Sequence, residues 1–121
     1  VTPALFAGRH TLPVILQSER AECGLACLAM IASYHGRRTD LNSMRRHFPI
    51  SSRGATLGDL QAIARQLSLQ TRALRLEVDD LTKLQTPAIL HWNMNHFVVL
   101  KSVSRSALWI HDPATGLRRY T

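Results

Sequence analysis

The stretch from Gln17 to Tyr34, QSERAECGLACLAMIASY, constrains this chain more than any other. It sets an amide, a carboxylate, a cysteine and a glycine ahead of Leu25, Leu28, Ala29 and Ala32, which recur at the spacing of one helix face. The pattern predicts a helix that starts at Cys23 and stops at Gly36, a residue suited to the left-handed conformation that closes helices. Such a helix buries one stripe and holds Cys23 at its exposed start. There the unpaired N–H groups and the macrodipole favour the negative charge that a nucleophilic thiol must carry. Gln17, ahead of the helix, can turn a side-chain N–H toward the sulfur and, with the Cys23 N–H, make a two-point oxyanion hole. The competing reading is the common one for a lone cysteine, a small buried hydrophobe.

The remainder of the chain supplies a core for that helix. At 121 residues and 45% hydrophobic it is read as one domain, residues 1–121. Residues 1–11 form a loose lead-in, about 12–68 a helical half and about 69–121 a sheet half. Asp40 caps a short helix carrying Leu41, Met44 and Phe48, closed by Pro49. Thr56 and Asp59 make a capping box for a third helix with Leu60, Ile63, Ala64 and Leu67 on its apolar face. From Leu69 to Leu76 the residues alternate, which predicts a strand, and a helical turn is expected near Asp79 to Leu84. Beyond Pro87, three apolar runs (88–92, 96–103, 107–111) are separated by polar links containing Asn93, Asn95, Ser104 and Ser106. They read as an antiparallel meander with a fourth strand at 117–121. The expected class is therefore α+β, helices packed on one side of an antiparallel sheet.

Charge and cysteine usage narrow the partners. The formal net charge is +7, but the arginines are scattered in ones and twos and no nucleic-acid motif accompanies them, so nucleic acid is not expected as a partner. An acidic peptide or the cytoplasmic face of a membrane suits the charge equally. Cys23 and Cys27 are four apart on one helix, a poor disulfide geometry, and are expected to be reduced in a cytosolic setting. No apolar run is long enough to span a bilayer and no signal peptide is apparent, so the chain as given is expected to be soluble. Neither CxxC nor HExxH spacing occurs, and no metal or cofactor is expected; a zinc site from Cys23, His96, His111 and Asp112 is a poor reading.

A catalytic cysteine needs a histidine to take its proton and a third group to hold the imidazole. Of six histidines, His10, His35 and His47 read as surface or capping residues. His91 suits a structural place against Trp92 or a backbone carbonyl. His96 starts the run HFVVL after a polar turn, which puts its ring at a cleft rim while Phe97, Val98 and Val99 anchor the strand. Asp112 ends the next strand before Pro113, so antiparallel pairing makes it a neighbour of His96, with His111 facing the other way.

Four blocks, QSERAECGLACLAM, RGATLGDLQAIA, ILHWNMNHFVVL and HDPATG, occur in order over roughly Leu12 to Thr121. Together they resemble the C39 peptidase domain, the papain-like cytosolic domain of ABC transporters that export bacteriocins and colicin V-like microcins. The resemblance implies a cysteine peptidase that cuts a leader peptide after a Gly-Gly or Gly-Ala site, coupled to export. It implies Cys23 as nucleophile, His96 as general base and acid, Asp112 as the residue orienting His96, and Gln17 as oxyanion-hole donor. It further implies the transmembrane and nucleotide-binding domains of the same transporter as partners. ATP and Mg are expected only for the nucleotide-binding domain, on the cytoplasmic side of the bacterial inner membrane. The isolated domain is expected to be monomeric and the full transporter homodimeric. Family domains continue beyond the DPATG block, so the sequence is expected to be the N-terminal part of a larger protein. The alternatives are a non-cleaving leader-docking domain, against which Cys23 argues, and an acyl-transfer enzyme using the same triad.

Overall fold

Helix α1 (Cys23–Tyr34) is the central element, followed by α2 (Leu41–His47) and α3 (Leu57–Gln66) and then strands β1 (Ala88–Trp92), β2 (His96–Val103), β3 (Leu108–Asp112) and β4 (Gly116–Tyr120). The computed structural model describes residues 11–93 and 96–121. The lead-in up to residue 10, His10 included, and the link residues Met94 and Asn95 lie outside the described residues.

The helix ends follow from local chemistry. Gly36 adopts φ 93°, donates to Ser33, and lets Arg37 N–H reach the Ala32 carbonyl at 2.9 Å, closing α1 as its glycine requires. Asp40 Oδ1 accepts from Ser43 N–H at 2.8 Å to start α2. Thr56 and Asp59 exchange side-chain to backbone bonds of 2.9 and 3.0 Å to start α3. Each cap of this kind contributes about 1 kcal/mol.

α1 departs from the single-stripe expectation. Every residue from Cys23 to Met30 is buried, and Ala32 as well. Small residues at Gly24, Ala26, Ala29 and Ala32 let neighbours close in from several directions, and α2, α3, β1 and β2 all pack on this helix. A Cβ on Gly24 would lie 2.8 Å from Leu60 Cδ2 and 3.4 Å from Phe97 Cδ2, so glycine is what lets α3 and β2 each approach the start of α1.

The sheet is an antiparallel meander in the order β1-β2-β3-β4. In β2 the run Phe97 to Leu100 is buried throughout, because the sheet is covered on both faces. Phe97 and Val99 join the helical core, whereas Val98 and Leu100 join Ile110 in a second cluster on the reverse face, packed with Leu84 and Leu90. The register slips by one residue between Leu100 and Ser102, a bulge in β2. A short 3-10 turn, Val78–Lys83, precedes β1 as the sequence predicts.

The strand expected over Leu69 to Leu76 does not form; residues 69–77 are without regular structure. Alternation there has no apolar face to bury, since Leu74 and Leu76 remain exposed on either side of Arg75. Among the described residues the sheet stops at β1, and no strand pairs beyond it.

Candidate active site

Cys23 opens α1 and is only 7% exposed, so it lies at a covered helix start rather than at the exposed one expected. The backbone N–H of Phe97 donates to its Sγ at 3.4 Å, which fixes the sulfur against the start of β2. The residue before Phe97 is His96, whose Nε2 lies 2.7 Å from Oδ1 of Asp112. β2 and β3 run antiparallel with Val99 opposite His111, which brings the start of one beside the end of the other. The same Oδ1 accepts from the Ala114 N–H at 2.9 Å, holding the carboxylate in the turn that leaves β3. A carboxylate oxygen accepts, so Nε2–H is the donor in this bond. Cys23, His96 and Asp112, separated in sequence, thus meet where the start of α1 faces the sheet.

Cys27 is a different kind of thiol. It is fully buried one turn further along α1, and burial, reinforced by the neighbouring Cys23, pushes its pKa well up. Both cysteines are free.

Gln17 reaches the same corner. Its backbone N–H donates to the Pro113 carbonyl at 2.9 Å, one residue beyond Asp112. The side chain does not point its N–H groups at the sulfur; Nε2 donates to the carbonyls of Glu19 and Arg20 at 3.2 and 3.5 Å. Those are long bonds, and Oε1 is buried without a partner among the described residues.

Two histidines serve other ends. His111 is buried, and its Nδ1 lies 3.0 Å from the Pro13 carbonyl, tying the segment before Gln17 to β3; burial, reinforced by Lys101, lowers its pKa. His91 is exposed and stacks on Phe97 at 4.4 Å and 12°, not on Trp92. Among the described residues no cluster of three or more His, Cys, Asp or Glu is placed to hold a metal ion.

Sequence reasoning missed the Phe97 N–H and the role of Glu22. The only signal for the second was a carboxylate directly before the cysteine. It is 6% exposed, and its charge is met by Arg45.

A model described as the Peptidase C39 family matches residues 11–121. The chain belongs to the peptidase C39 family. Within this family it is 57% identical over 110 residues to the Colicin V secretion/processing ATP-binding protein CvaB of Escherichia coli, covering 91% of the chain and 16% of that protein. It is 56% identical over 112 residues to the probable microcin-H47 secretion/processing ATP-binding protein MchF of Escherichia coli, covering 93% and 16%. The chain therefore spans about a sixth of the length of the curated relatives it matches. Among solved structures, it superposes with a TM-score of 0.84 on a double glycine motif protease from an AMS/PCAT transporter in complex with its leader peptide. That match is 37% identical and covers 93% of the chain and 81% of the protease. The peptidase domain of Streptococcus ComA, 23% identical with a TM-score of 0.80, covers 92% and 87% and shares the fold of this C39 chain. No described helix is long and apolar enough to cross a membrane.

Proposed function

We propose that this chain is the leader-cleaving cysteine peptidase of a bacteriocin- or microcin-exporting ABC transporter, cutting after a Gly-Gly or Gly-Ala site. The observation that carries the reading is the 2.7 Å His96–Asp112 bond beside a cysteine at a helix start. The names of CvaB, MchF and the double glycine motif protease supply the substrate class.

In the proposed reaction Cys23 Sγ gives its proton to His96 Nδ1 and attacks the carbonyl carbon of the second small residue. Asp112 holds the ring in the tautomer that accepts this proton and then offsets the imidazolium charge. The Cys23 N–H and a rotated Gln17 amide donate to the oxyanion. His96 protonates the leaving amine as the C–N bond breaks, leaving a thioester on Sγ. Water hydrolyses that thioester, giving the leader carboxylate and the free thiol. No metal or cofactor enters these steps. The transmembrane and nucleotide-binding domains of a homodimeric transporter are the proposed partners, with ATP and Mg used by the nucleotide-binding domain alone.

The test is mass spectrometry of a double-glycine leader peptide incubated with the chain under reducing conditions, beside Cys23→Ala and His96→Ala. One cut after the second glycine, absent from both variants, is the expected result. Intact peptide that still binds the wild type would overturn the peptidase in favour of the docking module.

A further inference from the structure

The segment from Gln17 to Glu22 links the covered start of α1 to the end of β3, and one side chain organises it. Glu22 Oε1 accepts from the Ser18 and Glu19 N–H groups at 3.1 and 2.8 Å. Its Oε2 receives Arg45 Nε at 2.5 Å, while Arg45 Nη1 is held by Asn42 Oδ1 at 2.8 Å. At the far end, Gln17 N–H is fixed to Pro113. The carboxylate is 8% exposed and lies directly before the nucleophile, where a negative charge disfavours a thiolate. A buried carboxylate in that place is costly unless it is paired and fully hydrogen-bonded, and here both oxygens are.

We propose that Glu22 and Arg45 form a positioning pair that folds the Gln17–Glu22 segment, so that the Gln17 amide needs only to rotate to reach the oxyanion. The pair touches neither substrate nor reacting atoms, and it acts through Gln17. This inference rests on the peptidase reading above. Arg45 comes from α2, so on this proposal the second helix has a task in the reaction.

Glu22→Gln keeps an oxygen for the Ser18 and Glu19 amides but sets an NH₂ against the Arg45 Nε. Expected is a fall in kcat of roughly ten- to a hundredfold with KM within about twofold, because a misplaced oxyanion donor acts on the transition state alone. The rate at which iodoacetamide alkylates Cys23 should not fall, since it requires the thiol and not Gln17, and losing the neighbouring negative charge favours the thiolate. Arg45→Met should show the same split, Glu22→Gln with Arg45→Met should be no worse than the poorer single variant, and Arg45→Lys should recover part of the loss. Unchanged kcat in both single variants, additive losses in the double, or alkylation falling in step with kcat would each overturn the inference. Cleavage by the wild type reports separately on the peptidase reading. Hydrogen exchange at the Ser18 and Glu19 amides, read without substrate, should speed up about tenfold or more in Glu22→Ala. Protection equal to the wild type would overturn the clamp even if no peptide is cut.

Discussion

His96 Nε2 and Asp112 Oδ1 lie 2.7 Å apart across the β2–β3 pair, and that bond engages one of the two ring nitrogens. Asp112→Asn preserves the shape but offers the ring a group that can donate as well as accept, so the wrong tautomer becomes populated. Leader cleavage should fall by roughly a hundred- to ten-thousandfold in kcat, with a melting temperature close to wild type. Steady-state kinetics beside a thermal melt checks both halves of that statement.

The two cysteines should separate cleanly. Under native conditions iodoacetamide should modify Cys23 and spare the fully buried Cys27, whereas in denaturant it should modify both. Cys27→Ala should retain cleavage, and Cys27→Ser should be the less stable of the two by about 1–3 kcal/mol, the cost of a buried hydroxyl without a partner. Intact-mass counting and chemical denaturation read these outcomes.

Gly24 is expected to resist substitution. In Gly24→Ala the new methyl meets Leu60 at 2.8 Å and must displace a side chain that is 3% exposed in a packed core. The loss should be about 1–3 kcal/mol. Because Phe97 also meets that methyl and its N–H fixes Cys23 Sγ, cleavage should fall as well. Adding Leu60→Val should recover part of the stability, which equilibrium unfolding in urea would show.

His111 gives the fold an acid-side sensitivity. Burial holds its folded pKa below the ordinary 6.5, so the unfolded chain binds the proton first. The stability from keeping it neutral is complete above about 6.5 and is lost as pH falls through the lower folded value. The difference in unfolding free energy between wild type and His111→Asn should therefore shrink as pH drops below 6.5. A constant difference between pH 7.5 and 5 would contradict this.

What could be read without coordinates was what short-range chemistry controls. Asp40, Thr56, Asp59 and Gly36 act within a turn of where they sit, and each performs as its residue type predicts. The meander from Ala88 onward was legible because its apolar runs are broken by polar links. The facing of His96 and Asp112 followed from antiparallel pairing. The failures are tertiary. Leu69 to Leu76 alternates as a strand does, but alternation does not reveal whether a neighbour will pair with it. Nor did the spacing of Leu25, Leu28 and Ala29 show that four other elements would close over all sides of α1. Glu22 stayed hidden because Arg45 lies 23 residues away.

The 74-residue gap between Cys23 and the Phe97 amide that holds it also orders events during synthesis. The thiol leaves the ribosome first, and at about 5–20 residues per second the strands bearing His96 and Asp112 follow only seconds later. Until β2 docks, the Cys23 thiol lacks the Phe97 N–H that fixes it, although the Gln17–Glu22 segment is already made. On the proposed peptidase reading, a nascent chain gains its capacity to cut peptides only when the sheet closes over the helix.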